Sequence, residues 1–199
     1  MSQTTIVSFF IYLKTRHKWQ AITRMGFSPL KLTKVEGLQF WRAMGVGGEN
    51  GFSIKPDFST YALVTVFKTE EDAVKFYEGN IMKKYTKDCA EHRSYFMYCT
   101  QTHGKWGCKN PLLVAENTDT TKKIAVITRA AIKPWLAVTF WKFVPEVSKT
   151  LDNYIGLSYS KGFGELPILV QATFSVCDSL DHMKAYACKT QPCCYGKKN

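Results

Sequence analysis

The chain has 199 residues, 45% of them hydrophobic and 14% aromatic, which is enough to fill the core of one sizeable domain or of two small fused ones. Its net charge of +11 is dispersed along the chain, which argues against a nucleic-acid partner and leaves a solvated basic surface, a membrane surface or an acidic redox partner. No apolar stretch reaches the length of a membrane span, and seven irregularly spaced cysteines without a secretory leader predict the cytoplasm, with peripheral contact at the inner membrane as a further expectation.

Strands and helices follow one another in the first half of the chain. Apolar alternation with β-branched residues predicts the strands, and apolar residues at helical spacing predict the helices. The predicted elements are a strand Thr5–Leu13, a helix His17–Ser28, strands Leu38–Met44 and Thr60–Phe67, a helix Thr69–Lys84 and a strand Ser94–Thr102. Thr69 is the predicted N-cap of the second helix and Asp178 that of its counterpart in the second half, while Pro134 stands where a helix start tolerates proline.

The second half of the chain repeats the first with the same internal spacing. Trp19, Ala21, Thr23 and Pro29 recur as Trp135, Ala137, Thr139 and Pro145, Gly37–Gly45 recurs as Gly156–Gly164, and Phe67–Tyr77 aligns with Val176–Tyr186. This alignment places His182 opposite Ala73. The order βαββαβ is the ferredoxin-like unit, so the predicted fold class is α+β, with two ferredoxin-like repeats packed as a dimeric-α+β-barrel-like domain.

The predicted domain boundaries are 1–109 for the first repeat, 110–122 for a connector and 123–199 for the second repeat. After Ala187 the chain lacks the apolar alternation of a strand, so the last strand of the second repeat is predicted to be missing. We expect a truncated or frame-shifted C-terminus, or an edge filled by a second chain in a homodimer. The extra segment 46–56 separates the middle strands of the first half, and its glycines predict a lid or tight hairpin rather than a phosphate-binding loop.

Several spaced blocks resemble the spheroidene monooxygenase family. The blocks are Gly37–Gly45 with the turn to Phe52, Tyr61–Leu63, Ile127–Pro134, Phe140–Trp141 with Val144–Pro145, and Gly162–Glu165 followed by Gln171–Ser175. The resemblance extends to Ala187 and implies a haem-dependent monooxygenase that acts on a carotenoid or similar long apolar substrate. The resemblance stops before the last dozen residues, where members of the family have a helix end that contains a histidine. The alternative is a non-catalytic α+β barrel protein that binds haem or a hydrophobic ligand.

Haem, the cofactor that the resemblance implies, needs an axial donor to iron, most simply a neutral imidazole, and the chain has four histidines. His182, in the first turn of the last helix, is the predicted haem-binding and metal-ligating residue, and His103, at the end of a strand, is the second candidate. For both residues, an ordinary exposed histidine is the alternative interpretation. His17 and His92 lie among charged residues and are expected at the surface.

Arg129 interrupts an otherwise apolar strand, so its charge must reach solvent or a partner anion. The resemblance implies that haem propionates supply this anion, whose geometry suits a guanidinium. Phe40, Trp41 and Trp141 are the predicted substrate-binding residues because flat aromatic walls suit a polyene, and core packing is the alternative. The sequence contains no Ser-His-Asp order, zinc-protease helix or paired-carboxylate pattern, so it assigns no catalytic residue.

Overall fold

The structure is a computed structural model, which describes residues 2–48, 56–116, 119, 121–137, 139–142, 154–166 and 170–190. The chain divides into two compact units, one formed by Met1–Gly45 with Asp57–Thr118 and the other by Val46–Pro56 with Asp119–Asn199. Each unit contains an antiparallel set of strands together with helices. The predicted α+β class is therefore confirmed.

The first unit has the predicted ferredoxin-like order, with its second helix in two parts. Its elements are β1 (Thr4–Ile11), α1 (Thr15–Leu32), β2 (Leu38–Gly47), β3 (Pro56–Phe67), α2 (Glu70–Glu78), α3 (Asn80–Thr86) and β4 (Glu91–Met97). The strands lie in the order β4-β1-β3-β2, and β1 pairs antiparallel with both β3 and β4. The adjoining ends of β2 and β3, beyond Gly45 and before Asp57, belong to the second unit.

Two predicted boundaries are wrong for physical reasons. The single helix predicted over Thr69–Lys84 is two helices, because Gly79 has an extended backbone with φ −76° and ψ 170° and ends α2. The strand predicted over Ser94–Thr102 is β4, which begins and ends earlier, since its pairing with β1 runs from Glu91 opposite Ile11 to Met97 opposite Thr5. Element order is thus better predicted than the residues at which elements end.

Both faces of the central strands in the first unit are buried. On one face, side chains of β1 and β3 pack with those of the helices in a single cluster that includes Ile6, Phe10, Leu63, Phe67, Ala73 and Phe76. The other face carries the buried side chains of Val7, Phe9, Met44, Ala62, Val64 and Val66. Because side chains alternate along a strand, a strand covered on both sides buries the side chains of nearly every residue, which favours apolar and small hydroxyl residues. Seven of the eight residues of β1 are buried accordingly.

Among its described residues, the second unit has three strands of its own and a helix of 11 residues that follows them. Its elements are β5 (Ile124–Ala131), a 3-10 turn (Pro134–Leu136), a helical segment at 139–142, β6 (Leu157–Leu166), β7 (Val170–Cys177) and α4 (Leu180–Thr190). The strand order is β6-β7-β5, with β7 antiparallel to both neighbours. Pro134 opens the 3-10 turn as predicted. The predictions for residues 191–199 and for the glycine-rich segment 49–55 lie outside the described residues.

The helix caps correct the predicted repeat alignment by one residue. The hydroxyl of Thr69 accepts a hydrogen bond from the backbone N–H of Asp72 at 3.2 Å, which confirms the predicted cap of α2. The hydroxyl of Ser179 accepts one from the backbone N–H of His182, also at 3.2 Å. The residue that caps α4 is therefore Ser179, and the prediction of Asp178 was wrong. His182 is the structural counterpart of Asp72.

Candidate functional site

Arg129 and Glu165 form an ion pair across the sheet of the second unit. Arg129 on β5 lies opposite Ala172 on β7, and Ala172 lies opposite Phe163 on β6. Directly opposed side chains of antiparallel strands share one face of the sheet. Glu165 follows Phe163 by two positions, at an irregularity in the pairing of β6 with β7, and its Oε1 lies 3.5 Å from Nε of Arg129. The side chain of Arg129 therefore reaches across β7, the middle strand, to the carboxylate of Glu165.

This ion pair lies beside an apolar layer. Phe163, Ala172, Phe174 and Val176, on the same face of β6 and β7, are all buried. The side chains of the ion pair each keep 23% of their surface exposed. Opposite charges at this distance offset part of the desolvation cost that each would have alone. The second unit thus contains an ion pair beside a buried apolar layer.

The first repeat has apolar side chains at the two equivalent positions. Arg129 is the sixth residue of β5, and Phe9 is the sixth residue of β1. Glu165 is the ninth residue of β6, and Val46 is the ninth residue of β2. Both Phe9 and Val46 are buried. The ion pair is therefore a difference between the two repeats, at positions where the fold accepts apolar groups.

His182, the predicted metal ligand, is an exposed residue in the first turn of α4. Its Nδ1 lies 2.9 Å from Oγ of Ser179. The imidazole ring packs on Gly156, which has φ +88° and where a Cβ atom would overlap the ring. In the first repeat, the carboxylate of Asp72 packs in the same way on Gly37, which has φ +72°. His182 therefore makes a helix–glycine contact that Asp72 makes at the equivalent place in the first repeat.

The remaining histidines also lie at the surface. His103 is exposed in the loop after β4, and its Nε2 lies 3.0 Å from Nε2 of Gln101. Its predicted place at a strand end is wrong, because β4 ends at Met97. His92 is exposed on β4, and His17 is half-buried on α1. All four imidazoles of the chain therefore reach solvent at least in part.

The structure does not bring Arg129 and His182 together. His182 packs on Gly156, which precedes β6 at the end of the sheet where β7 reaches Cys177. Arg129 lies opposite Ala172, five residues away along β7. At about 3.4 Å per residue, this separates the two positions by roughly 17 Å along the strand. The predicted iron ligand and the predicted propionate partner are at opposite ends of the sheet.

The described residues do not fit a haem held as predicted. None of the four imidazoles is buried, and a carboxylate of the chain itself, that of Glu165, stands where a propionate was predicted beside Arg129. The described parts of the chain also contain no group of three or more histidine, cysteine, aspartate or glutamate side chains placed to hold a metal ion. No chemical step is therefore assigned to haem.

Phe40 and Trp41 occupy opposite faces of β2. Trp41 is half-buried against the helix-side core of the first unit. The ring of Phe40 lies 5.3 Å from that of Trp106 between centroids, and the guanidinium carbon of Arg42 lies 4.6 Å from the Phe40 centroid. The structure therefore separates two side chains that were predicted to line one slot. The structure also places Trp106 beside Phe40, a contact that was not predicted. The sequence signal for Trp106 was its position between Lys105 and Lys109.

Trp141 belongs to a small apolar cluster of the second unit. It is buried together with Ala137, and Ile132 packs against both. The ring of Phe140 meets it edge-on, with 5.6 Å between centroids. This is the packing arrangement that was the alternative to substrate binding. Glu165 was missed as a site residue, although it stands in one of the blocks that carry the family resemblance.

The fold and this site define an α+β protein of ferredoxin-like repeats with a polar pair beside an apolar layer. The chain is 27% identical over 186 residues to the spheroidene monooxygenase of Cereibacter sphaeroides, which covers 93% of this chain and 57% of that protein. It is 30% identical over 169 residues to the spheroidene monooxygenase of Rhodobacter capsulatus, covering 83% of this chain and 70% of that protein. The chain belongs to the spheroidene monooxygenase family.

Other comparisons are weaker. No protein-family model matches the chain. Among solved structures, SnoaB, a cofactor-independent oxygenase from Streptomyces nogalater, is 8% identical with a TM-score of 0.38 and covers 51% of this chain and 97% of that one. A hydroxynitrile lyase from Passiflora edulis is 15% identical with a TM-score of 0.36, covering 52% of this chain and 98% of that one. Within the described residues, no helix is long and apolar enough to cross a bilayer.

Proposed function

We propose that the chain is a monooxygenase that inserts one oxygen atom of O2 into a carotenoid-like, long apolar substrate. The observation that supports this most is the 30% identity to a spheroidene monooxygenase over 70% of that protein's length. The second oxygen atom is reduced to water with two electrons from an external reduced electron carrier and two protons from the solvent.

The proposal is tested with the purified full chain, spheroidene in lipid vesicles, a reduced ferredoxin as electron donor and oxygen-18 gas. Mass spectrometry is expected to show a product with one labelled oxygen atom, and an incubation under argon serves as the control. Lack of labelled product from a folded chain overturns the proposal. Binding of the polyene without any product would favour the alternative, a non-catalytic protein that holds a hydrophobic ligand.

Haem forms a separate part of the proposal, supported by the family resemblance and not by the described side chains. The visible absorption spectrum of the chain, purified from haem-replete cells, is expected to contain a Soret band. Loss of that band in His182→Ala or in His103→Ala, with the other variant unchanged, identifies the ligand. A folded chain without the band overturns the haem part, and the oxygen-labelling assay then decides the monooxygenase part independently.

We further propose contact with an anionic membrane surface, which would give access to a lipid-soluble substrate. Trp19 on α1 is 66% exposed, and Lys14 and Arg16 are exposed nearby in the sequence. In the second unit Trp135 is exposed, and Nζ of Lys133 lies 5.5 Å from its ring centroid. Indole rings flanked by basic residues suit the interface of anionic lipids. Both repeats carry this combination just after their first strand.

Vesicle co-sedimentation tests the membrane contact. The native chain is expected to bind phosphatidylglycerol vesicles and to bind phosphatidylcholine vesicles more weakly. Trp19→Ser should lower binding, whereas Leu30→Ser should not, because Leu30 is similarly exposed at 68% but lies about 16 Å further along α1. Equal effects of the two substitutions, or equal binding to both lipids, would contradict this part of the proposal.

A further inference from the structure

The fold of the first unit gathers basic residues that are dispersed along the sequence. Arg24 on α1 donates one hydrogen bond to the backbone carbonyl of Lys84 at 2.7 Å and another to Oδ2 of Asp88 at 2.8 Å. Residues 14–24 and residues 80–88 therefore lie against each other, and we call them the α1–α3 surface. They contain one acidic residue and seven basic ones, so that they carry +6 of the net charge of +11. The basic residues are Lys14, Arg16, Lys18, Arg24, Lys83, Lys84 and Lys87.

The one acidic residue of the α1–α3 surface is already paired. Asp88 forms an ion pair with Arg24, in which the two side chains keep 20% and 25% of their surface exposed. A hydrogen bond from Arg24 lowers the pKa of Asp88, and the nearby charges of His17 and Lys87 lower it further. The carboxylate thus offsets one cation at the centre of the surface. Five basic side chains around it are exposed, those of Lys14, Arg16, Lys83, Lys84 and Lys87.

The neighbouring helix α2 has the opposite charge. It contains four acidic residues and one lysine, and three of the acidic residues lie in its first turn. The helices of the first unit therefore differ in charge, with the positive charge concentrated at α1 and α3. A charge distribution of this kind orients an approaching charged protein and raises the rate of association.

The size of the α1–α3 surface suits a transient protein complex. Residues 14–24 extend over roughly 15 Å at the rise of a helix. Surfaces of this extent are typical of the small interfaces in electron-transfer complexes, whose partners must separate after each encounter. The proposed reaction takes up two electrons from an external carrier, so it requires such encounters.

The centre of the α1–α3 surface is less suited to a lipid surface. Membrane contact combines basic residues with exposed apolar side chains that enter the interface. Trp19 is the exposed indole of α1, and it lies five residues before Arg24, about 140° around the helix. The contact of Arg24 with Lys84 and Asp88 is therefore on a different side of α1 from the indole ring.

We infer that the α1–α3 surface is the docking site of an acidic electron-carrier protein. The exposed lysines pair with carboxylates of the carrier and orient it on the chain. Two reduced carriers, each of which is oxidised by one electron, supply the two electrons that reduce the second oxygen atom to water. The inference deepens the proposed function and rests on it for the need of a carrier.

The test measures binding of an acidic two-iron ferredoxin to the full chain by isothermal titration calorimetry at low ionic strength. Lys84→Glu combined with Lys87→Glu reverses two exposed charges and keeps the backbone carbonyl that accepts from Arg24. This double variant is expected to bind about tenfold more weakly, because like charges then face each other. Added salt should weaken binding to the native chain, since exposed charges are screened. Ferredoxin that does not bind the native chain overturns the inference.

The loop after β4 provides a matched control. Lys105 and Lys109 are exposed, and Lys105→Glu combined with Lys109→Glu changes the net charge by the same amount. Trp106 between them packs on Phe40, on the face of β2 opposite the helices. The control variant should therefore bind ferredoxin within about twofold of the native affinity. Equal losses in the two double variants would show that only the net charge matters and would overturn the inference.

A milder variant keeps the test decisive if the reversed charges prevent folding. Acidic residues at the end of a helix are unfavourable, and Lys84 and Lys87 lie at the end of α3. Lys84→Gln combined with Lys87→Gln removes the two charges without reversing them. The folded glutamine variant is expected to bind ferredoxin about threefold more weakly than the native chain. An unchanged affinity overturns the inference.

Vesicle co-sedimentation separates a carrier from a membrane as the partner. Trp19→Ser, which should lower binding to phosphatidylglycerol vesicles, is expected to leave the affinity for ferredoxin unchanged. If Lys84→Glu with Lys87→Glu lowers vesicle binding but not ferredoxin binding, the α1–α3 surface contacts lipid and the inference is overturned.

These binding measurements require no turnover, so they separate the inference from the proposed function. Ferredoxin binding that depends on Lys84 and Lys87, in a chain that yields no labelled product, supports the inference and overturns the monooxygenase proposal. Labelled product from a chain whose two double variants bind ferredoxin equally supports the monooxygenase proposal and overturns the inference.

Discussion

The imidazole ring of His182 lies directly on Gly156, at the place where any other residue would carry its Cβ atom. The carboxylate of Asp72 has the same relation to Gly37 in the first repeat. In each repeat, a glycine with positive φ precedes a strand, and the first turn of the repeat's second helix packs on this glycine. The contact fixes where this helix begins relative to the sheet, whichever side chain makes it.

The first prediction concerns Gly156→Ala. Gly156 and Gly104 have similar φ values, +88° and +83°, but a Cβ atom added at Gly104 would meet no side chain or distant backbone within 4 Å. Gly104→Ala should cost only the left-handed backbone, about 1–2 kcal/mol. Gly156→Ala should lower the free energy of unfolding by more, because the new methyl group also displaces the ring of His182. Urea unfolding of both variants measures the difference, and equal losses would show that the ring contact is loose.

The second prediction concerns the cap of α4. Ser179→Ala removes the oxygen that accepts the backbone N–H of His182 and should lower the free energy of unfolding by about 1 kcal/mol. Thr69→Ala, at the equivalent cap of α2, should have a similar effect. Asp178→Ala should have a smaller effect, since its exposed carboxylate pairs with Lys123 and does not cap the helix. Thermal unfolding that ranks Asp178 above Ser179 would contradict the assignment.

The third prediction concerns acid stability. A hydrogen bond from the guanidinium of Arg24, 2.8 Å from Oδ2 of Asp88, lowers the pKa of this carboxyl group. A pKa that folding lowers contributes stability above the unfolded pKa of about 3.9, and this contribution is lost as the pH falls through the folded pKa. The native chain should therefore be more stable than Asp88→Asn at neutral pH, and the difference should shrink below about pH 4. Urea midpoints measured across this range test the sign, and a difference that grows in acid would contradict it.

The fourth prediction separates packing from substrate binding at Trp141. Trp141→Ala empties the centre of its cluster with Ala137 and should lower the free energy of unfolding by about 3 kcal/mol. Phe140→Ala, at the exposed neighbouring position, should change it much less. Chemical unfolding of the two variants decides the matter. A native-like midpoint for Trp141→Ala would favour the original interpretation as a substrate-binding residue.

The fold was largely predictable because its repeats are similar in sequence at the positions that set backbone geometry. Gly37 and Gly156 align without ambiguity, and both have the positive φ that glycine alone adopts easily. The cap of α4 was not predictable, since aspartate and serine are equally good caps and Asp178 stands directly before Ser179. The sequence alone cannot tell which of two adjacent oxygens meets the first free N–H groups of a helix.

The candidate site was predictable in part. The need of Arg129 for an anion follows from its apolar strand, but the identity of that anion does not. Glu165 is 36 residues further along the chain, and an irregularity in the pairing of β6 determines that its side chain reaches Arg129. Sequence patterns do not reveal such irregularities. The domain boundaries and the homodimer stay predictions.

The position of β1 has a consequence for the synthesis of the protein. It leaves the ribosome before β3 and β4, yet its pairing partners in these strands run over Thr60–Phe67 and Glu91–Met97. Until those segments are made, a strand with seven of eight residues destined for the interior has nothing to pair with. Such an unpaired apolar strand is prone to association with other chains. During synthesis, the first repeat should therefore depend on chaperones until β4 has closed the sheet. During refolding in vitro, slow dilution should have the same protective effect.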